Sequence, residues 1–375
     1  MRIRYADRLL RALAFTLALL AISLVAACGT ANPTAAPTAP PAPTRATVTV
    51  LGPQNPGAAP TLDTSLNLKG LFVFANGDGS LSTEQAGSNS PRVVFKATSS
   101  LYGDTPALSP DGTQIAFTAS SFTKDGAVLQ DVRVMNADGT NLRVVATPEQ
   151  PKITFGFPAW SPDGKSLYIT LSYSTPPASQ HDEIDEVSVN GGPLRKVIEN
   201  AREASLSPDG KKLVYSRLNL NTYPSSLWLA NIDGSNPKEL LAAGVFAAIY
   251  GPRFSPDAQT IVFAESGPPT KKLPGAYAFD QSTQDDSCAV ALAFVCLVEN
   301  ADAHGLPWEL WLIHLDTLKF EQLTHIGSDS PVPAWSADGR QIAFFDATGI
   351  YILDVATKKI TQVSYSRGYG GFDWK

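Results

Sequence analysis

Seven residues, three cysteines and four histidines, carry most of the chemistry this sequence could offer, and their positions limit it. Cys28 follows a stretch that reads as an export signal. Arg2, Arg4, Arg8 and Arg11 form a positive start, Ala12 to Ala26 an apolar run, and Ala26 and Ala27 are the small residues before Cys28. The run is short for a permanent membrane span. Cys288 and Cys296 have seven residues between them, and two thiols in an exported chain favour a disulfide closing a small loop. A pair of buried free thiols is the alternative. Structural zinc takes four ligands, which two cysteines without a histidine cluster do not supply, so no metal site is expected. His181, His304, His314 and His325 are scattered, and His314 alternates within a strand-like run as a structural or surface residue would. There is no Gly-x-Ser-x-Gly elbow and neither common phosphate loop, so the sequence points to no catalytic residue and no cofactor.

The elements that must position these residues come from a repeat. Leu108-Ser109-Pro110-Asp111-Gly112, Trp160-Ser161-Pro162-Asp163-Gly164, Leu206-Ser207-Pro208-Asp209-Gly210, Phe254-Ser255-Pro256-Asp257-Ala258 and Trp335-Ser336-Ala337-Asp338-Gly339 each lead into an alternating apolar run. Pro presets φ at the turn, Asp bonds its own backbone and Gly supplies positive φ, so each copy reads as strand, tight turn, strand. The motif serines recur after 52, 46 and 48 residues, a spacing that holds four short strands and predicts a propeller blade. The next interval is 81, so one blade carries an insertion, placed at 266–306 between its second and third strands. Asn136-Ala137-Asp138-Gly139 and Asn231-Ile232-Asp233-Gly234 read as second hairpins; a calcium loop would need a closing Glu that neither has. Leu71 to Phe74 and the runs after it match the later strands of a blade with no first strand, and Phe372-Asp373-Trp374 matches a first strand cut off at its turn. The expectation is an all-β, six-bladed propeller over 67–375, its last blade closed by the C-terminal strand.

The repeated apolar-Ser-Pro-Asp-Gly motif resembles the WD40-like repeats of TolB-type propellers over most of residues 68–375. Some propellers with related repeats are lyases or peptidases, and the peptidases carry their serine on a separate hydrolase domain. Val25-Ala26-Ala27-Cys28 resembles a bacterial lipobox, which implies a signal peptide over 1–27 and lipid on Cys28. The Ala-, Pro- and Thr-rich stretch of 28–66 then reads as a flexible tether. The formal charge is −6, with no basic run after the first dozen residues, so a nucleic-acid partner is not expected. Removing 1–27 takes away four arginines and Asp7, leaving about −9, so acyl chains rather than the protein face should hold the chain to a membrane.

In such a ring the second-to-third-strand loops and the blade-joining loops share one face, opposite the Ser-Pro-Asp-Gly turns. Phe155, Phe157, Phe246, Tyr250 and Tyr369, with Tyr277 and Phe279 of the insertion, are expected around the channel mouth on the loop face, where aromatic side chains suit ligand contact. Trp160, Trp335 and Trp374 are expected in the core. The functional expectation is a lipid-anchored protein facing the extracytoplasmic space that binds a protein, peptide or envelope polymer at this face without catalysis. The alternatives are a carbohydrate lyase or hydrolase using loop residues such as His181 and His304, and a purely structural scaffold.

Overall fold

Five of the six blades join their first two strands by the same turn, and its geometry explains its recurrence. In the first copy the Ser109 hydroxyl donates to Asp111 Oδ1 at 2.6 Å and accepts from the Gln114 N–H at 2.9 Å. The Gly112 N–H closes the turn on the Ser109 carbonyl at 2.8 Å. The other four copies repeat this pattern. Gly112, Gly164, Gly210 and Gly339 sit at φ 69–71°, whereas the fourth copy places Ala258 in that left-handed conformation at φ 58°. The shared Ser and Asp hydrogen bonds hold an alanine where glycine is preferred.

The computed structural model describes residues 66–122, 128–149, 153–175, 179–218, 225–267, 308–324, 328, 331–346, 348–366, 368 and 371–375. Six four-stranded antiparallel sheets form the ring. The first comprises β1 (Leu71–Ala75), β2 (Leu81–Gln85) and β3 (Arg92–Phe95) with β24 (Phe372–Trp374). The next two are β4 (Leu101–Leu108), β5 (Gln114–Phe122), β6 (Val128–Asn136), β7 (Arg143–Ala146), and β8 (Thr154–Trp160), β9 (Ser166–Thr175), β10 (Ser179–Ser188), β11 (Arg195–Glu199). Then come β12 (Arg202–Leu206), β13 (Lys212–Leu218), β14 (Ser225–Asn231), β15 (Lys238–Leu241), and β16 (Ala248–Phe254), β17 (Thr260–Ser266), β18 (Trp308–His314), β19 (Lys319–Gln322). The last is β20 (Val332–Trp335), β21 (Gln341–Asp346), β22 (Gly349–Asp354), β23 (Ile360–Ser364). The insertion joins β17 to β18, which pair directly across its root at Ser266 and Trp308.

Closure follows the expected pairing. Phe72 lies opposite Trp374, Val73 opposite Asp373 and Phe74 opposite Phe372. The backbones of Leu71 and Lys375 exchange hydrogen bonds at 2.6 and 3.1 Å. Phe72, Phe74, Phe372 and Trp374 then pack against Phe345 and Ile352 of the neighbouring sheet. The core is distributed in this way between adjacent blades. The motif tryptophans act there as staples, each indole N–H reaching a carbonyl outside its own strand: Trp160 to Ala107 at 3.0 Å, Trp335 to Arg253 at 3.3 Å and Trp374 to Lys69 at 2.8 Å. A buried indole keeps its apolar body in the core while its one donor is satisfied.

Trp374 is 3% exposed and belongs at once to the closing strand and to the core. Trp374→Ala should cost about 3–5 kcal/mol, a large share of a typical domain's stability of about 5–15 kcal/mol. Urea unfolding checks this, and an unchanged midpoint would mean that the last strand does not hold the ring shut.

Candidate functional site

The inner strands are irregular at one place. β4, β8, β12 and β16 each carry an extra residue relative to the neighbouring strand, between Asp104 and Ala107, Gly156 and Ala159, Arg202 and Ser205, and Tyr250 and Arg253. Within these bulges Thr105, Phe157, Glu203 and Gly251 adopt positive φ of 46°, 49°, 58° and 57°. A β-branched residue and a bulky aromatic are poor choices for that region, and such strain collects at working sites. Pro106, Pro158 and Pro252 follow three of the four and have no N–H to leave unpaired where the ladder is interrupted. Thr105, Phe157, Glu203 and Gly251 come together at the channel mouth on the loop face, around a cavity of about 20 Å³. That is room for about one water.

The mouth is charged. Glu203 is 4% exposed; its Oε2 accepts the Gly251 N–H at 3.1 Å, and its own N–H donates to Thr170 Oγ1 at 2.9 Å. Arg202 Nε lies 3.3 Å from Glu203 Oε1 and its Nη1 3.7 Å from Asp182 Oδ2. Burial pushes the Glu203 carboxyl up, and the Arg202 and Arg253 guanidiniums with the Gly251 N–H oppose it. Asp104 is open to the lumen, yet crowding by the surrounding protein raises its carboxyl against hydrogen bonds from the backbone of Thr105 and Gly371. The Tyr250 hydroxyl is raised first by burial and then by the nearby Glu203 and Asp104 carboxylates. No histidine is among the described residues lining this mouth. The arrangement offers a phenol, carboxylates and guanidiniums for hydrogen bonding.

The residues expected at the mouth divide. Phe157 and Tyr250 meet there edge to face, ring centroids 5.8 Å apart, and Tyr250 continues to Trp308 at 6.3 Å. A line of partly exposed aromatics therefore runs from the lumen to the root of the insertion. Phe155 and Phe246 do not belong to it, which corrects the expectation for both. Phe155, 2% exposed, packs between blades with Trp160 and Leu171. Phe246, 1% exposed, packs on Phe263 and Trp311. His181 stacks on Tyr173 at 5.2 Å, and His314 Nε2 faces Glu321 Oε2 at 3.5 Å. Cys28, Cys288, Cys296, Tyr277, Phe279, Tyr369, His304 and His325 lie outside the described residues. Among the described residues no group of three or more potential ligands could hold a metal ion.

Sequence reasoning passed over Asp104, Arg202, Glu203 and Arg253. One signal was available: a proline stands three residues before the motif serine in four of the five copies, at Pro106, Pro158, Pro252 and Pro333. It also passed over the pair Glu265 and Glu309, which face each other across β17 and β18. Trp311 Nε1–H donates to Glu265 Oε1 at 2.8 Å, and the Thr324 hydroxyl donates to Glu309 Oε2 at 2.5 Å. Glu265 Oε2 is buried with no hydrogen-bond partner.

Burial, helped by the Glu309 charge, pushes the Glu265 carboxyl from 4.5 to about 8. The folded state then holds a proton that the unfolded chain has released, so this group lowers stability as pH rises from about 4.5 to about 8. Glu265→Gln should flatten that part of the stability–pH curve, measured by urea unfolding across the range. An unchanged slope would mean that Glu265 is ionised in the fold at neutral pH.

No protein-family model matches the sequence, and no curated relative matches it at a significant level. Solved structures do match in shape. TolB from Acinetobacter baumannii aligns with a TM-score of 0.56 and 14% identity over 81% of this chain, which spans 66% of that protein's length. A chain of the nidogen/laminin complex aligns with a TM-score of 0.56 and 12% identity, covering 81% of this chain and 97% of that one. A putative TolB from Agrobacterium tumefaciens gives 0.50 and 16% identity, covering 82% and 98%. At these identities the likeness is one of fold: the described residues of this chain form a six-bladed propeller similar to that of TolB.

Proposed function

We propose that this chain is a non-catalytic binding protein, held to a bacterial membrane by lipid on Cys28 and facing the extracytoplasmic space. It takes a protein, peptide or envelope polymer at the loop-side mouth of its channel. The observation that carries this reading is the aromatic line Phe157–Tyr250–Trp308, leading from strained inner-strand backbone to the root of the 266–306 insertion. Aromatic anchors beside hydrogen-bonding charged groups in a concave site are what peptide-scale recognition uses. The bulges that hold them are maintained at some expense of backbone strain, and that strain is concentrated on this mouth.

Two experiments test it. Cys28→Ser should move the protein out of the membrane fraction or block processing; unchanged partition together with unchanged mature mass would remove the anchor from the reading. Crosslinking in cells followed by pull-down should capture a partner with the native chain. Tyr277→Ala combined with Phe279→Ala should weaken that capture about ten-fold or more while leaving the melting temperature nearly unchanged. Lys165→Glu with Lys211→Glu, on the turn face, should leave it intact. The opposite pattern would place partner binding on the turn face.

A further inference from the structure

The channel has a second and larger opening. On the turn face a cavity of about 370 Å³ is ringed by Pro110, Pro162, Pro208 and Pro256, one from each of four consecutive turns, above apolar walls that include Leu206 and Phe254. Its volume falls at the small end of ordinary ligand sites, and a mostly apolar lining with few polar groups is typical of them. Ala107, Pro158 and Arg253 line both this cavity and the loop-side one, so they form the floor between the two. The space on the turn face is therefore a funnel that narrows at these residues from about 370 Å³ to about 20 Å³. It admits the end of a chain more readily than its middle.

Arg253 is the charged group at that floor. Its Nη1 donates to the neighbouring Pro252 carbonyl at 3.0 Å. Among the described residues Arg133, Arg195 and Arg202 each lie against a carboxylate, and Arg253 lies within ion-pairing distance of none. Its backbone is fixed, because the Trp335 indole N–H of the next blade is bonded to its carbonyl at 3.3 Å. Asp373, also in the funnel, is already engaged by the backbone N–H groups of Leu108 and Trp374, both at 2.9 Å. A half-buried guanidinium outside ion-pairing distance of any described carboxylate, at the end of an apolar funnel, matches a planar carboxylate, which it can hold with two parallel hydrogen bonds. The rim carries the opposite message. Asp111, Asp163, Asp209, Asp257 and Asp338 lie in the turns of this same face, each carboxyl held below its ordinary range by its motif serine. Negative charge on this face disfavours polyanions and anionic lipid surfaces, while the Arg253 guanidinium suits a single carboxylate.

We propose that this funnel is a second binding site, opening on the turn face and sharing only its floor with the loop-side mouth, that takes the C-terminal end of an apolar peptide with its α-carboxylate on the Arg253 guanidinium. The test uses the full chain, immobilised, and a pool of hexapeptides randomised over alanine, valine, leucine, isoleucine and phenylalanine, prepared once as free acids and once as C-terminal amides. The acid pool should be retained about ten-fold or more above the amide pool. Arg253→Gln should bring the ratio to about one, and Arg253→Lys should keep part of it. Pro208→Glu, on the exposed rim and away from the core, should lower retention of acids more than of amides, and it carries the test if the Arg253 variants fold poorly. Tyr277→Ala with Phe279→Ala should change nothing here, whatever becomes of loop-side capture. Equal retention of the two pools, or a preference that survives Arg253→Gln, overturns the proposal. So does displacement of the peptides by laurate at lower concentration than by their own members, which would assign the funnel to a fatty acid.

Discussion

A ring of sheets is latched when its first and last strands share a blade, and here that latch rests on three residue pairs between β24 and β1. Without them β1 and β20 would border a gap, and the apolar faces of Phe72, Phe74 and Phe345 would open to water. An unpaired edge of this kind is also a template for association with other chains. The closing strand is short, so side-chain packing supplies what three backbone pairs cannot. Phe72 packs on both Phe372 and Trp374 with ring centroids 5.5 and 5.4 Å apart, and Phe345 stacks on Phe372 at 5.8 Å. With this contact made, six sheets packed each on its neighbours enclose the central channel and its two mouths.

The two mouths differ because of how a blade is strung. The turn between first and second strands is short and almost invariant in type, so it contributes nearly the same atoms each time: a proline (Ala337 in one copy), an aspartate and a tight backbone. The loop face receives connections of any length, and every internal segment outside the described residues joins either the second and third strands of a blade or one blade to the next. Variety in chemistry therefore accumulates on one side. Regularity on the other side is not inertness, since repeating one apolar residue around a ring makes a continuous wall.

What could be read in the sequence was whatever the chain says several times. Ser-Pro-Asp-Gly occurs often enough that its hairpins, the blade length and the displaced first strand at Phe372 to Trp374 follow from local turn chemistry. The candidate site was read less well because it depends on exceptions to alternation. In β8, a regular strand would send Phe155 and Phe157 to the same side, and both were expected at the mouth. The bulge after Gly156 separates them, sending one into the core and the other to the lumen. Glu203 and Arg253 look in sequence like ordinary strand charges. Their burial comes from the narrowing of the ring, which no local pattern encodes. Glu265 became a buried carboxylate for a similar reason, through a cross-strand partner 44 positions away, on the far side of the insertion.

The path of the chain into the ring has a mechanical consequence. Leu66 and Leu68 approach along the turn face, and β1 starts there beside Lys375. A tension applied through the segment before Leu66, against a load borne on the loop face, would pull β1 along its own axis, between β24 on one side and β2 on the other. That is a shearing geometry, in which the ladder bonds on both flanks resist together rather than parting one after another as they would if the strand were peeled. Resistance to force depends on the rate of unfolding more than on equilibrium stability, and a strand clamped on two sides and stacked on Phe372 and Trp374 is well placed to keep that rate low.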